Sequence, residues 1–390
     1  PASRLYSNYT MFPRGSQHWK KKIRNYFTTD PERDSRQLTG GQTSIRDSFY
    51  KMREAGAAAR EILLMAAAQL WDTSPNNLKT VNGVVENEDG EQISYQELAN
   101  LASSIAPPEN LKLKSSAQWK YLGKSQPRVD MESKCRGSAQ YSIDIELPDM
   151  LYGAVRLNPN LGGKMISFQA DEALKMPGVK EIVPLRNGVV ICATNTWYAF
   201  QALMKVQIEW ENAPYPNTSS EHQEEIRNAL NHEPNSRPRD IGNVSQRFES
   251  AEKVEAEYWV PYLAHANMEP LCAVAHFREG ELDIWAGTQY PTSARLSGVD
   301  ILEIGIDKVR VHTTYMGCGF GRRLETDFIE TAVHAAKKLR GTPVKVTWSR
   351  EEDMTHDVYR PMSMAKFQAF VGKGQVLSLD LKVSSPSLLS

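Results

Sequence analysis

A glycine-rich segment at residues 316–323 carries residue types that suit an anionic group. Its sequence is Met-Gly-Cys-Gly-Phe-Gly-Arg-Arg, and it lies between a predicted strand and a predicted helix. Glycines let the backbone approach a ligand closely, amides at a helix start suit anionic oxygens, and arginines add charge-assisted hydrogen bonds. The segment lacks the third glycine of a dinucleotide fingerprint and the Gly-Lys-Ser/Thr ending of a phosphate loop. Taken alone, it is as compatible with a tight strand-to-helix turn as with a cofactor site.

Two other polar residues have neighbours that suggest chemistry. Gln289 comes just before Pro291, the predicted first residue of a helix, where its amide could donate a hydrogen bond to an oxo group or a ligand carbonyl. A helix cap is the simpler interpretation of Gln289. Glu269 follows His265 by four residues, a spacing that would suit a metal site on a helix. The proline after Glu269 argues against a helix there, so a buried, paired carboxylate is the favoured interpretation.

The elements around these residues alternate between helical and extended patterns, which predicts an α+β fold. Helices are predicted over residues 47–71, 95–103, 170–176, 197–206, 220–230, 291–303 and 324–339. Strands are predicted over residues 78–85, 141–145, 151–157, 179–185, 189–193, 207–211, 254–260, 272–277, 282–285, 309–315, 344–348, 365–371 and 376–383. Asn82-Gly83 and Asn187-Gly188 predict hairpins with type I′ turns.

Composition excludes several classes of protein. The chain has 390 residues, 46 Lys+Arg and 47 Asp+Glu, so its formal net charge of -1 argues against a nucleic-acid binder. Its hydrophobic content of 41% is enough for buried cores. The four cysteines are far apart in sequence, which argues against a disulfide scaffold or an iron–sulfur cage within this chain. No uninterrupted apolar run is long enough to span a membrane. Residue 1 is a proline, and both ends of the chain are predicted to be cut.

Changes in composition along the chain predict its domain boundaries. A proline-containing polar stretch at residues 116–127 is predicted to link a first part, residues 1–115, to a compact α/β part at residues 128–211. Residues 212–245, which are rich in proline, asparagine, serine and glutamate, predict a long connection. The last part covers residues 246–390.

Several short motifs, taken in order, resemble those of one enzyme family. They are Ala139-x-Tyr-x-x-Asp, Pro148-x-Met-Leu-Tyr, Pro177-Gly-Val, Met268-Glu-Pro, Thr288-Gln-x-Pro, Gly317-x-Gly-Phe-Gly and Trp348-Ser-Arg-Glu-Glu-Asp. The set resembles the molybdopterin-binding large subunit of the xanthine dehydrogenase/aldehyde oxidase family. Within it, the sequence is most similar to isoquinoline 1-oxidoreductase beta subunits and membrane-associated aldehyde dehydrogenase large subunits. The resemblance covers nearly the whole chain.

This resemblance implies a fold and a cofactor site. The fold would be α+β, with mixed α/β molybdopterin-binding domains flanking a small "hammerhead" domain at residues 128–211. By position, Gln289 matches the glutamine beside the metal, and the loop over the metal is matched by Gly319, Phe320 and Gly321, with Arg322 following. The stretch that would hold the pterin or its phosphates is matched by Gly40, Gly41, Gln42, Ser44 and Arg46. No side chain of this chain is expected to bind the metal directly.

The resemblance also implies a reaction and its partners. The reaction would be hydroxylation of an aldehyde or an electron-poor N-heterocycle with oxygen from water. The cofactor would be molybdenum in molybdopterin, in its cytosine dinucleotide form. Electrons would pass to a small partner subunit that carries the [2Fe-2S] clusters, and a cytochrome c subunit is a further candidate partner. Localisation would be periplasmic, peripheral to the inner membrane.

Departures from the family pattern leave alternatives open. The general-base glutamate of the family would lie beyond Ser390, so this fragment alone is expected to be inactive. Substrate-pocket positions fall at Leu324 and near Tyr359, and Glu269 is a further candidate there; Leu324 stands where the purine enzymes have a glutamate, which disfavours xanthine. A second hypothesis is a non-catalytic family member that only binds a partner protein. A third, a nucleic-acid module, rests on the basic residues 18–24 alone.

Overall fold

The structure, a computed structural model, describes residues 37–108, 110–244 and 251–386. It divides into two compact units. The small unit is Thr39–Ser138, and the large unit is formed by the described residues from Ala139 onward. The basic run at residues 18–24 lies outside the described residues.

The small unit is built around one long helix. Its helices are α1 (Thr43–Leu70), α2 (Tyr95–Ala102) and α3 (Met131–Cys135), and its sheet has strands β1 (Lys79–Val81), β2 (Val84–Glu86) and β3 (Gln92–Ser94) in that order. The predicted hairpin is confirmed, because Asn82 and Gly83 have φ values of 46° and 89°, as a type I′ turn requires. Ala66 and Ala67 of α1, Val85 of β2 and Leu98 of α2 are fully buried and form the core.

A seven-stranded mixed sheet dominates the large unit. Its strands are β4 (Leu151–Leu157), β6 (Val179–Leu185), β7 (Gly188–Ala193), β10 (Cys272–Arg278), β11 (Glu281–Ala286), β12 (Val309–Thr313) and β13 (Val344–Thr347). Their order is β12-β11-β10-β13-β4-β7-β6, with parallel pairs β11/β12 and β13/β4. Strands from the predicted parts 128–211 and 246–390 therefore share one sheet.

Smaller elements complete this unit. A two-stranded sheet pairs β5 (Met165–Gln169) with β8 (Gln207–Trp210), and a three-stranded sheet has the order β15 (Gln375–Ser384), β14 (Ser363–Gly372), β9 (Glu252–Val260). The helices are α4 (Asp171–Leu174), α5 (Thr196–Leu203), α6 (Ser219–Ala229), α7 (Pro291–Leu302), α8 (Asp327–Lys338) and α9 (Arg350–Thr355). The predicted α+β class is confirmed. Among the helices that the structure describes, none has both the length and the hydropathy to cross a membrane.

Helix α8 anchors the main core of the large unit. Its apolar stripe, predicted from the sequence, is fully buried at Phe328, Ile329 and Val333 and packs against β10. Burial of each such side chain contributes about 1.5–3 kcal/mol. The helix begins at Asp327, because residues Arg322–Leu324 form a separate 3-10 turn.

Two local predictions were wrong. Residues 141–145 form a 3-10 turn (Ser142–Asp144) rather than a strand, because Ser142 is buried and its hydroxyl accepts a hydrogen bond from the Gly287 amide at 2.6 Å. The β6/β7 hairpin forms as predicted, but without a type I′ turn, since neither Asn187 nor Gly188 has a positive φ. Gly188 is instead required by crowding, because a Cβ there would lie 2.1 Å from the Arg156 carbonyl oxygen.

Candidate functional site

The glycine-rich loop after β12 presents a row of backbone N–H groups. Cys318 and Phe320 have left-handed φ values of 78° and 53°, separated by Gly319, and Gly321 follows with φ 111°. Such alternation turns successive amides toward one side and forms an anion-binding concavity. Within the described part of the chain, the amides of Cys318, Gly319 and Phe320 donate to no acceptor. The loop therefore offers three N–H donors, beside the exposed ring of Phe320.

Gln289 contacts this loop directly. Its backbone amide donates to the Arg323 carbonyl at 2.9 Å, and its side-chain Oε1 accepts a hydrogen bond from the Gly321 amide at 3.1 Å. A Cβ on Gly319 would lie 2.7 Å from that same Oε1. The structure thus brings together four of the predicted residues, namely Gln289, Gly319, Phe320 and Gly321. A side chain at Gly319 would push the Gln289 side chain away from the loop.

A buried ion pair holds the loop from beneath. The Arg323 guanidinium donates to the Glu269 carboxylate at 2.9 Å, and both side chains are almost inaccessible to solvent. Arg323 also donates to the Gly287 carbonyl at 3.1 Å, and the Gly317 amide donates to Glu269 at 2.9 Å. Glu269 is therefore a buried, paired carboxylate, and its predicted role toward substrate stays a prediction.

Arg322 is also committed to contacts within the protein. Its two terminal nitrogens donate to the Asp327 carboxylate at 2.9 Å and 2.7 Å, and its Nε lies 3.2 Å from Asp357. Burial acts to lower the pKa of Arg322, but the charges of Asp327 and Asp357 outweigh it and raise the pKa. These contacts do not support the predicted direct contact with a cofactor. Arg322 would act through the backbone of the loop.

A histidine–aspartate pair next to the loop was not predicted. His265 Nδ1 lies 2.8 Å from Asp357 Oδ1, and the His265 backbone amide also donates to Asp357. Burial acts to raise the pKa of Asp357, but the hydrogen bonds from His265 and the charge of Arg322 outweigh it and lower the pKa. Because the two residues are 92 positions apart, no local spacing in the sequence could indicate the pair.

The other predicted residues lie at three further places. Leu324 closes the 3-10 turn after the loop, with its amide donating to the Gly321 carbonyl at 3.1 Å. The Tyr359 hydroxyl donates to the Thr355 carbonyl at the end of α9. The remaining ones, Gly40, Gly41, Gln42, Ser44 and Arg46, lie in the small unit at the start of α1, so their role stays a prediction.

The residues of the loop fit a ligand that presents oxygen atoms. Three open amides supply donors, and the glycines keep the space against Gln289 clear. The neighbouring Asn267 is fully buried, and its side-chain amide has no hydrogen-bond partner among the described residues. In residues 37–108, 110–244 and 251–386, no group of three or more His, Cys, Asp or Glu side chains is placed to hold a metal ion.

Comparison with known proteins links this site to one family. Residues 223–386 match the family model described as the molybdopterin cofactor-binding domain. The chain is 29% identical over 386 residues to the membrane-bound aldehyde dehydrogenase (pyrroloquinoline-quinone) of Gluconacetobacter polyoxogenes, covering 94% of this chain and 50% of the relative. It is 27% identical over 406 residues to the beta subunit of isoquinoline 1-oxidoreductase from Brevundimonas diminuta, covering 91% and 51%. The chain thus spans about half the length of these relatives.

The fold is shared with a solved structure. Quinoline 2-oxidoreductase from Pseudomonas putida 86 superposes with a TM-score of 0.53 at 20% sequence identity, over 67% of this chain and 39% of that chain. In this chain, Gln289 lies between β11 and α7, and the loop follows β12.

Proposed function

Because the chain belongs to the xanthine dehydrogenase family of molybdenum-binding subunits, we propose that the full-length protein is the molybdopterin-binding subunit of an oxidoreductase. It hydroxylates an aldehyde or an electron-poor N-heterocycle with oxygen from water. One observation carries the proposal: Gln289 is hydrogen-bonded to a loop whose three preceding amides are open. This is the arrangement that an oxygen-bearing anionic cofactor needs.

The residues of the chain have distinct roles in this proposal. The amides of Cys318, Gly319 and Phe320 hold an oxygen of the bound group, since preorganised N–H donors stabilise negative charge. Gln289 is oriented by the Gly321 amide. The exposed Phe320 ring supplies an apolar wall that reduces contact with water. When bound, molybdopterin supplies a metal that acts as a Lewis acid and accepts two electrons.

The substrate and the partners follow from the same proposal. Leu324 cannot hydrogen-bond a polar purine, so a less polar aldehyde or isoquinoline-type ring is favoured. Two relatives are named as subunits of larger enzymes, one of isoquinoline 1-oxidoreductase and one of nicotinate dehydrogenase, which supports a heteromeric assembly. We assign electron transfer to a small [2Fe-2S] subunit, with a cytochrome c subunit as a further acceptor. We also propose the cytosine dinucleotide form of the cofactor and a periplasmic location.

Isotope labelling tests the reaction. The full-length protein, purified with its small subunit, is supplied with an aldehyde or isoquinoline in water enriched in oxygen-18. From isoquinoline we expect one labelled oxygen in each product molecule, because the oxygen comes from water; an aldehyde also exchanges its carbonyl oxygen with water, so its product carries one or two labels. Unlabelled isoquinoline product contradicts the proposed reaction, because its oxygen would come from molecular oxygen. Protein that carries molybdenum and pterin but converts neither substrate would support the non-catalytic alternative instead.

A further inference from the structure

The His265–Asp357 pair fixes the protonation pattern of the imidazole. The Asp357 side chain is buried, and its two oxygens accept from the His265 backbone amide and from Nδ1, the latter at 2.8 Å. A carboxylate with a lowered pKa can only accept hydrogen bonds, so Nδ1 must carry a proton. In the neutral ring, this leaves Nε2 as a hydrogen-bond acceptor.

That Nε2 atom lies beside the loop. It is 3.4 Å from the position that a Cβ on Gly321 would occupy, and the amide of Gly321 donates to Gln289. In the part of the chain that the structure describes, Nε2 has no hydrogen-bond partner. The imidazole is about one-fifth exposed, so a ligand against the loop can reach it.

The charged groups around the pair are already matched. Arg322 is paired with Asp327 and lies beside Asp357, and on α9 the buried Asp353 is paired with Arg350 at 2.7 Å. The remaining buried charges beneath the loop, Arg323 and Glu269, are paired with each other. The charged side chains around the imidazole are therefore paired with one another, although Arg322 Nε and Arg323 Nε have no hydrogen-bond partner among the described residues.

We propose that His265 is a cofactor-contacting residue whose Nε2 accepts a hydrogen bond from an N–H or O–H group of the ligand seated against the loop. Asp357 is the positioning residue that fixes the ring and its tautomer. The inference rests on the proposed function, since it takes the ligand to be the pterin cofactor. It assigns to the pair a role in holding the cofactor rather than only in folding.

Two conservative variants separate these roles. The amide nitrogen of His265→Asn falls near the position of Nδ1, so it keeps the bond to Asp357 but loses the atom that faces the loop. The longer His265→Gln places an amide oxygen near the position of Nε2. If His265 contacts the cofactor, the Gln variant retains it and the Asn variant does not. If the pair is purely structural, the order is reversed.

Cofactor retention is the measurement. Full-length protein is purified with its partner subunit and gel-filtered, and the molybdenum and pterin that stay bound to each chain are determined. We expect His265→Asn to retain about 10- to 100-fold less cofactor than the wild type, and His265→Gln to retain most of it. His312→Asn is a control for the loss of a His–Asp contact outside the loop, because His312 Nε2 lies 2.8 Å from Asp283 and the residue is on β12. It should retain wild-type amounts.

Asp357→Asn tests the positioning role. The Asn oxygen must stay on the backbone amide, so its NH2 group faces Nδ1 and reverses the tautomer. We expect a loss like that of His265→Asn, and no further loss when the two changes are combined, because both act through one atom. Additive losses, or His265→Asn with wild-type retention, would overturn this inference alone. Wild-type protein without molybdenum would overturn the proposed function and this inference with it.

Discussion

At the residue scale, the lack of a side chain at Gly319 allows the Gln289 side chain to contact the loop. A Cβ at this position would lie 2.7 Å from Gln289 Oε1, which is closer than real Cβ contacts. We expect Gly319→Ala to displace the Gln289 side chain and to lower the bound molybdenum about tenfold in the purified full-length protein, because small displacements at a binding loop are costly.

Gly56→Ala is the matched control for this substitution. Gly56 is exposed within α1, and a Cβ there would meet nothing within 4 Å. Alanine should leave cofactor content unchanged and stabilise the helix by about 0.5–1 kcal/mol. Equal cofactor content in Gly319→Ala and Gly56→Ala would contradict the assigned role of the loop.

Glu325 should make stability depend on pH. Burial, and then the charge of Asp327, raises the pKa of Glu325 to about 8, from an ordinary value of 4.5. The folded state therefore holds a proton that the unfolded state releases, so wild-type stability falls as pH rises from about 5 to 8. One pKa unit corresponds to about 1.4 kcal/mol, and partial exposure screens the effect. We therefore expect the free energy of unfolding of Glu325→Gln, relative to the wild type, to rise by about 2 kcal/mol from pH 5 to pH 9. Urea unfolding at both pH values measures this, and a difference that does not change with pH would contradict it.

The sequence indicated some site residues and not others for a physical reason. Gln289 and the Gly-Phe-Gly segment stand next to strand and helix signals, so their positions at element ends were predictable. His265 is bound by Asp357 and Glu269 by Arg323, partners 92 and 54 residues away. Those contacts exist only once the chain has folded, and spacing along the sequence carries no trace of them.

At the element scale, Arg323 links three loops to one another. Its guanidinium donates to the Glu269 carboxylate and to the Glu269 and Gly287 carbonyls. A lysine cannot make all of these bonds, and the loss would leave buried polar groups without partners. We expect Arg323→Lys to lower the free energy of unfolding by about 3 kcal/mol, measured by urea titration.

Arg310→Lys provides the comparison. Arg310 makes a similar pair with Asp283 at 2.9 Å, but its side chain is 47% exposed. Water screens that pair, so the change in stability should be small. If both substitutions had the same effect, the buried pair would not be what holds the loops together.

Elements were most predictable where apolar residues recur at a single period. The stripe of α8 and the largely apolar runs of β4 and β6 predicted elements that the structure confirms. The alternation of Tyr141, Ile143 and Ile145 misled, because the Ser142 hydroxyl between them is drawn into the core by bonds to Gly287 and Thr314. A buried polar contact outweighed the apolar pattern.

At the scale of the whole molecule, strand pairing joins distant parts of the chain. β4 lies between β13 and β7, and residues 151–157 pair with β13, which lies nearly 200 positions further along the sequence. Changes in composition predict a domain boundary at residue 128, whereas the boundary between the two compact units falls between Ser138 and Ala139 in the sequence. Composition describes only neighbouring residues in the sequence. The extent of each unit depends on which strands pair, and a short stretch of sequence does not specify its distant pairing partner.

The identity of the bound cofactor tests the account most directly. The full-length protein, purified with its partner subunit in active form, should contain about one molybdenum and one pterin per chain, and Gly319→Ala should lose both together. One relative is named for pyrroloquinoline quinone instead, so that compound should be measured in the same samples. Active protein that contains pyrroloquinoline quinone and neither molybdenum nor pterin would contradict the central claim.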